Sequence, residues 1–414
     1  MNENKVISYI LRLEKLIKKK NYIGYDPYDI KGTKFFLWAL SIPRKPFLSN
    51  IFRKVILGPT IYFELFFPTL LRKVFLIKPK LNAKGLSLIA KGYFNLFRLT
   101  QDAQWLKQGE SCLESLNQIR SSGFENPCWG YPFNWDSGVI VPAFTPTAVV
   151  TSAAFDAYWD AWMLTRKREY LEVCSGICDF YCNDLNQSEG PDDTICFSYT
   201  PIDRFQVHNI NLMVAYCLVR TGQALNKSEL LDLGKRAADF TIREQNEDGS
   251  IYYWSKEQND QDPNRIDHYH SGFEIRALWG IWQNTNQKRY LNAFEGYYSF
   301  YREKLFYRKD NMIIPMTELS GVYPVNIHAC AESILLSASL AKTNLNAAED
   351  LKSVLPWVLQ KMLMKSGWFR YLIRKIGPFE VRSNIVYMRW GQAWMFLALT
   401  QALLVFNSRM NSDD

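Results

Sequence analysis

The strongest constraint on the fold of this chain is a long internal repeat. Six times, at intervals of 58 to 62 residues, a polar or small residue opens an apolar stretch with helical character. These openings are at Ser87, Thr147, His208, His270, His328 and Arg389. Self-similarity at a fixed period of this length is typical of repeat architectures. The sequence therefore predicts an all-α fold, a closed (α/α)6 toroid of six helical hairpins.

Each repeat has the same order of parts, which the third repeat shows best. An aromatic segment at Thr194–Thr200 precedes an apolar inner helix at Val207–Val219 and a more charged outer helix at Ser228–Gln245. The last inner helix, Arg389–Phe406, has no outer helix after it. The amphipathic stretch Lys5–Lys19 has its apolar residues on one side. We therefore expect it to pack at the seam between the first and last repeats.

The charge of the chain is concentrated before the ring. Residues 1–85 hold 17 Lys and Arg against 5 Asp and Glu, a net of +12, and we expect them to form a basic helical extension packing on the ring. Residues 86–406 are predicted to form the toroid domain, and residues 407–414 a short tail.

The apolar runs in the extension, Val55–Phe63 and Leu65–Leu71, are too short to span a bilayer. The extension is expected either to cap the ring or to bind an anionic membrane surface. Its basic residues form no nucleic-acid-binding motif, so we expect no nucleic acid partner.

The N-terminus begins with a charged helix, which is not typical of a secretory signal. The eight cysteines include no C-x-x-C pair. Cys174, Cys178 and Cys182 lie on one predicted helix face without a histidine to complete a metal site. We therefore expect a cytoplasmic protein, peripheral on the inner face of the membrane if the extension binds lipid, with no metal and no cofactor.

The loops before the inner helices are the candidate functional site. In a ring of hairpins all inner helices run the same way, so their N-termini converge on one mouth where helix dipoles favour anions. Each loop carries polar or aromatic residues of the kinds that sugar enzymes use. The candidates are Trp129, Tyr131, Trp135, Asp136, His208, Asn209, Asp267, Tyr269, His270, His328, Tyr387, Arg389 and Trp390.

Two chemistries fit this set. Glycoside hydrolysis needs two carboxyls across the bond. The carboxyl candidates are Asp136, Asp203, Asp267, Glu274 and Glu332. Abstraction of the C5 proton of a uronic acid, leading to epimerisation or β-elimination, instead needs a base, an acid and a group that neutralises the sugar carboxylate.

For the second chemistry we assign a role to each group. His208 and His270 are expected to move protons, and Tyr269 and Tyr387 are the acid candidates. Asn209 would hold the sugar carboxylate together with Arg389. The rings expected to stack on sugars are Trp129, Tyr131 and Trp135, with Asp136, His328 and Trp390 completing the binding surface.

Four segments resemble a known family. They are Gly24–Asp29, the pair His208-Asn209, the run Asp267–Phe273 and the run Tyr387–Trp394. On these segments, the chain resembles bacterial proteins of exopolysaccharide, capsule and O-antigen biosynthesis, which have an α/α-toroid fold. The resemblance covers roughly residues 20–405. The chain is more distantly similar to the helical domain of glucuronyl C5-epimerases and to the six-hairpin glycosidases.

The resemblance implies a polysaccharide or a lipid-linked saccharide as the partner. It leaves three functions open. These are an epimerase or lyase acting on an acidic glycan, a six-hairpin glycoside hydrolase, and a non-catalytic glycan-binding or scaffold component of a membrane-associated synthesis complex.

Overall fold

The computed structural model describes residues 3–42, 47–309 and 312–410. The part of the chain before the ring contains four helices. They are α1 (Glu3–Lys19), α2 (Lys34–Ser41), α3 (Phe47–Phe66) and α4 (Pro68–Val74).

Helical hairpins make up the rest of the described chain. The inner helices are α5 (Ala83–Thr100), α7 (Ala148–Thr165), α9 (His208–Leu225), α11 (His268–Thr285), α13 (Ile327–Leu340) and α15 (Trp394–Met410). The outer helices are α6 (Ala103–Gln118), α8 (Arg168–Asp184), α10 (Ser228–Arg243), α12 (Lys288–Lys304) and α14 (Leu345–Met362). A π-helical segment, Met388–Ala393, runs directly into α15.

The inner helices form a closed ring. Each contacts the next inner helix along the chain, and α15 contacts α5. Inner helices such as α7 and α13 are apolar nearly all round, because one side faces the ring interior and the other faces the outer helices. The predicted all-α toroid is confirmed.

Helix α1 lies at the seam of the ring. Its apolar residues Val6, Ile10, Leu13 and Ile17 are buried, and the helix packs against α15. The hydroxyl of Tyr93 on α5 donates to Glu14 Oε1 at 3.0 Å, so α1 contacts the first inner helix as well. The limits of the three predicted segments stay predictions. The predicted boundary between residues 85 and 86 falls inside α5, the first helix of the ring.

The inner helices begin and end by repeated devices. Side-chain N-caps precede four of them at Asn82, Thr147, Asp267 and Asn326. Each cap accepts a hydrogen bond from a backbone N–H that the first turn leaves free. Left-handed residues at Gln101, Arg166, Asn226 and Asn286 end four inner helices. The third inner helix consequently runs to Leu225, beyond the predicted end at Val219.

The first repeat opens earlier than predicted. Ser87 lies one turn inside α5, where its hydroxyl donates to the carbonyl of Ala83. The N-cap of this helix is Asn82, whose side-chain oxygen accepts from the backbone N–H of Gly85.

Short antiparallel strands lie in the loops before and between the hairpins. They are β1 (Trp135–Asp136), β2 (Ile140–Val141), β3 (Gln187–Glu189), β4 (Ile195–Phe197), β5 (Phe306–Lys309), β6 (Met312–Pro315), β7 (Val325–Asn326), β8 (Leu372–Ile376) and β9 (Phe379–Ser383). Three pairs form two-stranded sheets, β1–β2, β3–β4 and β5–β6, and β7–β8–β9 form a three-stranded sheet. The register places Trp135 opposite Val141 and Tyr307 opposite Ile314.

The described residues form one large apolar core inside the ring and one small one outside it. The small core joins α2, α3 and α4 through Ile30, Phe36, Ala39, Leu57 and Leu71. Across the described residues, none of the helices combines the length and hydropathy that a membrane span requires.

Candidate functional site

Equivalent positions at the start of the inner helices converge on one central cleft. They are the second residues of α5, α7, α9, α11 and α13, and the second residue of the π-helical segment before α15. These residues are Lys84, Val149, Asn209, Tyr269, His328 and Arg389. All but Asn209 line a cavity of about 240 Å³ at the N-terminal end of the ring. The convergence follows from the shared direction and phase of the helices, because residues at equivalent positions of equivalent helices face the same way.

Aromatic rings form most of the cleft wall. The lining rings are Tyr28, Tyr131, Phe133, Trp135, Tyr199, Phe205, Tyr253, Trp254, Tyr269, Phe273 and Trp390. Tyr131 stacks on Phe133 with ring centroids 5.3 Å apart, and Trp135 lies 5.3 Å from Tyr199. Flat faces of this kind fit the apolar faces of sugar rings. The structure therefore brings two of the three predicted stacking residues, Tyr131 and Trp135, into the cleft.

His270 is the best-oriented titratable group in the cleft. Its Nδ1 lies 2.7 Å from Asp267 Oδ2, and Asp267 Oδ1 accepts from the His270 backbone N–H at 3.0 Å. Because an ionised carboxylate only accepts hydrogen bonds, this contact places the ring proton on Nδ1 and leaves the lone pair on Nε2. Asp267 thus serves as helix cap and as the group that orients His270.

The surroundings of this pair favour an ionised carboxylate and a neutral imidazole. Burial raises the pKa of Asp267, but His270 and the Arg265 guanidinium, 3.2 Å away, outweigh it and hold that pKa below its usual range. Burial lowers the pKa of His270, and Asp267 opposes the change only in part. A neutral imidazole with a free Nε2 can accept a proton at neutral pH.

His328 lies in the cleft as a second neutral imidazole. Its ring stacks on Tyr269 at 4.5 Å and meets Trp390 edge-on at 4.5 Å. Both ring nitrogens are buried without a hydrogen-bond partner among the described residues. Burial, reinforced by Lys84 and Arg389, lowers the pKa of His328 well below its usual range. Unpartnered buried polar atoms are costly, so a ligand that donates to or accepts from this ring would stabilise it.

Lys84 is a buried lysine of the cleft that the predicted repeat openings did not include. Its ammonium lies over the rings of Phe273 and Trp394, 5.2 and 5.4 Å from their centroids, and it forms no ion pair within the described residues. Burial, with a further contribution from Arg389, lowers the pKa of Lys84 to about 7. With Ser87 as the predicted opening of the first repeat, Lys84 falls before the helix and outside the predicted site. With Asn82 as the opening, Lys84 aligns with His328 and Arg389.

Arg389 lines the cleft, but the N-terminal extension already holds it. Its Nε and one terminal nitrogen donate to the two carboxylate oxygens of Asp26, at 2.5 and 2.7 Å. The guanidinium lies 5.0 Å from the ring centroids of both Tyr131 and Trp390. Such a two-point ion pair fixes the arginine and leaves little of it for a substrate carboxylate. Trp390 lines the cleft and donates from Nε1 to Asn326 Oδ1 at 3.0 Å.

Five predicted site residues lie outside the cleft lining, and one of them, Asp267, reaches it through its contact with His270. His208 faces the outer helix α10, with Nε2 2.9 Å from Glu244 Oε2 and Nδ1 3.2 Å from Thr241 Oγ1. The Tyr387 hydroxyl accepts from Arg72 in the extension at 3.1 Å.

Trp129 is fully buried and donates to the carbonyl of Leu116 at 2.8 Å. The side-chain oxygen of Asn209 is buried without a partner among the described residues. In each case the residue type fits a sugar site, but the position of the residue on its helix or loop directs the side chain away from the cleft.

Most of the candidate carboxyls are bound to other protein groups and hold the fold together. Asp203 accepts from the backbone N–H groups of Tyr199 and Phe205 and holds its loop. Glu274 accepts from the Tyr297 hydroxyl, and burial raises its pKa well above the usual range. Glu332 forms a two-point pair with Arg276. Of the five candidates, only Asp136 lines the cleft.

His268, two residues before His270, does not line the cleft. His268 turns away from the cleft, with Nδ1 3.1 Å from the carbonyl of Leu305 and Nε2 2.6 Å from Ser333 Oγ. Across the described residues, no three His, Cys, Asp or Glu side chains have the arrangement of a metal site. Cys174 and Cys178 are buried, and the Cys178 thiol contacts the hydroxyl of Thr221.

Comparison with known proteins gives the fold. No family profile and no curated protein sequence matches the chain. A Salmonella enterica protein described as a possible member of the GH105 family has a TM-score of 0.60 at 11% identity, over 98% of this chain and 95% of that one.

Two sugar enzymes of known activity have the same fold. The cellobiose 2-epimerase of Bacillus thermoamylovorans has a TM-score of 0.55 at 10% identity, over 77% of this chain and 87% of its own. An unsaturated glucuronyl hydrolase specific for heparin has a TM-score of 0.55 at 11% identity, over 78% and 86%. The chain thus shares the α/α-toroid fold of the six-hairpin glycosidase-like enzymes at identities that speak for the fold alone.

Proposed function

We propose that the protein is a carbohydrate-active enzyme that abstracts a proton next to the carboxylate of an acidic sugar, as an epimerase or lyase. The observation that carries the proposal is the pair Asp267–His270, which leaves the free His270 Nε2 in an aromatic-walled cleft. Aromatic walls suit a sugar, and an oriented neutral imidazole suits a general base.

The carboxylate of such a substrate needs a positive partner in the cleft. Lys84 supports this role better than Asn209 or Arg389 does, because its ammonium has no carboxylate partner among the described residues and Arg389 is paired with Asp26. Carbon acidity at C5 depends on stabilising the negative charge that develops on the carboxylate as the proton leaves. The ammonium form of Lys84, held in place before the reaction, supplies that stabilisation at little reorganisation cost.

The proton steps can then be assigned. His270 Nε2 takes the C5 proton, and the electron pair moves onto the carboxylate beside Lys84. Return of a proton to C5 from the opposite face gives the epimer. Departure of the C4 oxygen, with a proton from an acid, gives an unsaturated product. Tyr269 is the acid candidate, since it lines the cleft and burial raises its pKa well above the usual range, so the phenol keeps its proton.

Glycoside hydrolysis is the second candidate. It is favoured by Asp136, a carboxylate lining the cleft whose one hydrogen bond in the described structure comes from the backbone N–H of Gly138. A hydrolase would need a second carboxyl, and Asp267 is the other one beside the cleft. Because Asp267 is held by His270 and Arg265, the proton-abstraction proposal has the better support.

The biological setting is also proposed. The resemblance of Gly24–Asp29, Asp267–Phe273 and Tyr387–Trp394 to polysaccharide-biosynthesis proteins supports a role in assembling or modifying a cell-surface glycan on the cytoplasmic side. The substrate would be a polysaccharide or a lipid-linked saccharide. A non-catalytic glycan-binding role would use the same aromatic cleft.

Incubation with uronic-acid polysaccharides in deuterated water, read by proton NMR, tests the proposal. Deuterium at C5 with inverted configuration would establish an epimerase, and an unsaturated product would establish a lyase. New reducing ends without deuterium would contradict proton abstraction and favour the hydrolase. Binding without any turnover would support the non-catalytic alternative.

A further inference from the structure

The segment Phe35–Leu76 exposes an unusual amount of apolar surface. Eleven of the twenty-four exposed large hydrophobic side chains among the described residues lie in this tenth of the chain. We call them the apolar face of α2–α4. They are Phe35, Trp38, Ile51, Phe52, Val55, Phe63, Phe66, Phe67, Leu70, Val74 and Leu76.

The exposed side chains on α3 form a stripe. Phe52, Val55, Pro59, Phe63 and Phe66 follow each other at spacings of three and four residues, which places them on one side of a helix. Surface helices of soluble domains normally turn such a stripe toward the core. Here α3 turns a different side inward, through Leu57, and leaves the stripe in solvent.

The neighbouring helices expose apolar residues in the same way. On α2, Phe35 and Trp38 are exposed while Phe36 and Ala39 are buried in the small core. At the start of α4, Phe67 lies 5.2 Å from Phe63 of α3, so the exposed rings of the two helices meet. An exposed apolar patch formed by several elements marks an interaction surface.

The charges around the apolar face are nearly all positive. Residues 31–80 contain ten Lys and Arg and a single acidic residue, Glu64. Glu64 is paired with the buried Arg72, which also pairs with Asp29, so it does not offset the surface charge. Lys34, Lys54, Lys73 and Lys78 are exposed beside the apolar side chains.

We propose that the apolar face of α2–α4 docks the protein on an anionic lipid bilayer, with the rings in the headgroup region and the lysines on lipid phosphates. Aromatic and aliphatic side chains bordered by lysines are the combination that interfacial binding uses. A second copy of the chain is a poorer occupant, because pairing would bring together two segments that each carry a large excess of basic residues. This inference is independent of the sugar chemistry.

One end of the docking face reaches a cavity that adjoins the central cleft. This second cavity, of about 350 Å³, lies between the extension and the ring, and Leu76 of the apolar face lines it together with Phe75 and Lys78. Phe133 and Arg389 line both this cavity and the central cleft. Docking through α2–α4 would therefore hold the sugar site near the bilayer surface, where a lipid-linked saccharide is found.

Flotation of the full-length protein with phosphatidylglycerol-containing vesicles tests the proposal. We expect it to float with these vesicles, to float much less with pure phosphatidylcholine vesicles, and to be partly released by salt. The double variant Trp38→Ser/Phe66→Ser should weaken partitioning at least about tenfold. Lys34→Glu/Lys73→Glu should weaken it at least as much. Only exposed lysines change in the second variant, so it keeps the test valid if the first is poorly folded.

Matched controls alter equally exposed residues elsewhere. Leu345→Ser/Phe379→Ser removes two exposed apolar side chains, and Lys342→Glu/Lys352→Glu reverses two exposed lysines. Both controls should float like the parent protein. Equal loss in the controls, or no flotation of the parent with anionic vesicles, would overturn the proposal. So would a lipid-free dimer in sedimentation that the α2–α4 variants abolish, since the face would then bind a second copy.

Discussion

The imidazole of His270 is held at one nitrogen and free at the other. Asp267 fixes Nδ1, and 17% of the side chain remains exposed, toward the cleft. Because few protein contacts hold this side chain, its removal should lower the reaction rate more than the free energy of unfolding. Other imidazoles of the chain, such as His208 and His268, have both nitrogens occupied by protein groups.

Replacing His270 with alanine should therefore abolish activity and change the free energy of unfolding by less than about 2 kcal/mol. Loss of a general base typically costs a factor of about 10² to 10⁴ in rate. The measurement is turnover in the NMR assay together with chemical denaturation. His208→Ala is the control, because it removes one hydrogen-bond partner each from Glu244 and Thr241 and should lower stability while turnover persists. Parent-like turnover in His270→Ala would remove His270 from the mechanism.

Lys84 should cost the protein stability at neutral pH. Its pKa is about 7 in the folded chain and near 10.5 when unfolded. Between these pH values the unfolded chain binds more protons, so the free energy of unfolding should rise with pH. Lys84→Met should remove this contribution, raising stability at pH 7 by at least about 1 kcal/mol.

The same variant should lose turnover of acidic substrates, as expected when a destabilising group is retained for function. Thermal melts at pH 7 and pH 10, with the exposed Lys342→Met as control, measure the change. A destabilised Lys84→Met would indicate that the lysine is structural.

At the level of elements, the cleft depends on how closely the inner helices approach. Gly272 on α11 lies against Glu332 of α13, and a Cβ at this position would come within 2.4 Å of the Glu332 Cγ. Glu332 is fully buried and cannot move without disturbing its two-point pair with Arg276. The glycine thus sets the spacing of the two helices that carry His270 and His328.

Gly272→Ala should destabilise the protein by about 1 to 3 kcal/mol, the usual cost of overfilling a packed interior. Activity should fall further, because His270 and His328 would move apart. Gly58→Ala in α3 is the matched control, since a Cβ there meets open space and alanine favours a helix. Denaturation midpoints and turnover of the two variants decide the matter. Equal stability of both would mean that the helix contact is not tight.

At the level of the whole molecule, the ring is closed by a helix from the other end of the chain. Helix α1 covers α15 and contacts α5, so residues near the N-terminus join the first and last repeats. The extension also supplies Asp26 to Arg389 and Tyr28 to the cleft wall. Ring and extension therefore build the site together.

Leu13→Ala in α1 should destabilise the entire ring by about 2 to 5 kcal/mol, because Leu13 is fully buried at the seam. Leu11→Ala on the exposed side of the same helix is the control, and its effect should stay within about 1 kcal/mol. Chemical denaturation gives both values. A small effect of Leu13→Ala would mean that the ring holds without α1.

The sequence by itself determined the toroid and the end of the ring that carries the cleft. Apolar periodicity and a repeat near 60 residues need no long-range information, and helices of one direction bring their N-termini together. It also identified His270, Asp267, Tyr269, His328 and Trp390 as residues of that end.

Only the tertiary structure decided which side chains face the axis. His208 is the first residue of its helix and His328 the second, and this step of about 100° turns one toward α10 and the other toward the cleft. Lys84 aligns with His328 and Arg389 only when Asn82, and not Ser87, is the start of the first inner helix. The pairing of Arg389 with Asp26, 363 residues away, arises only when the ring closes on its own N-terminal extension.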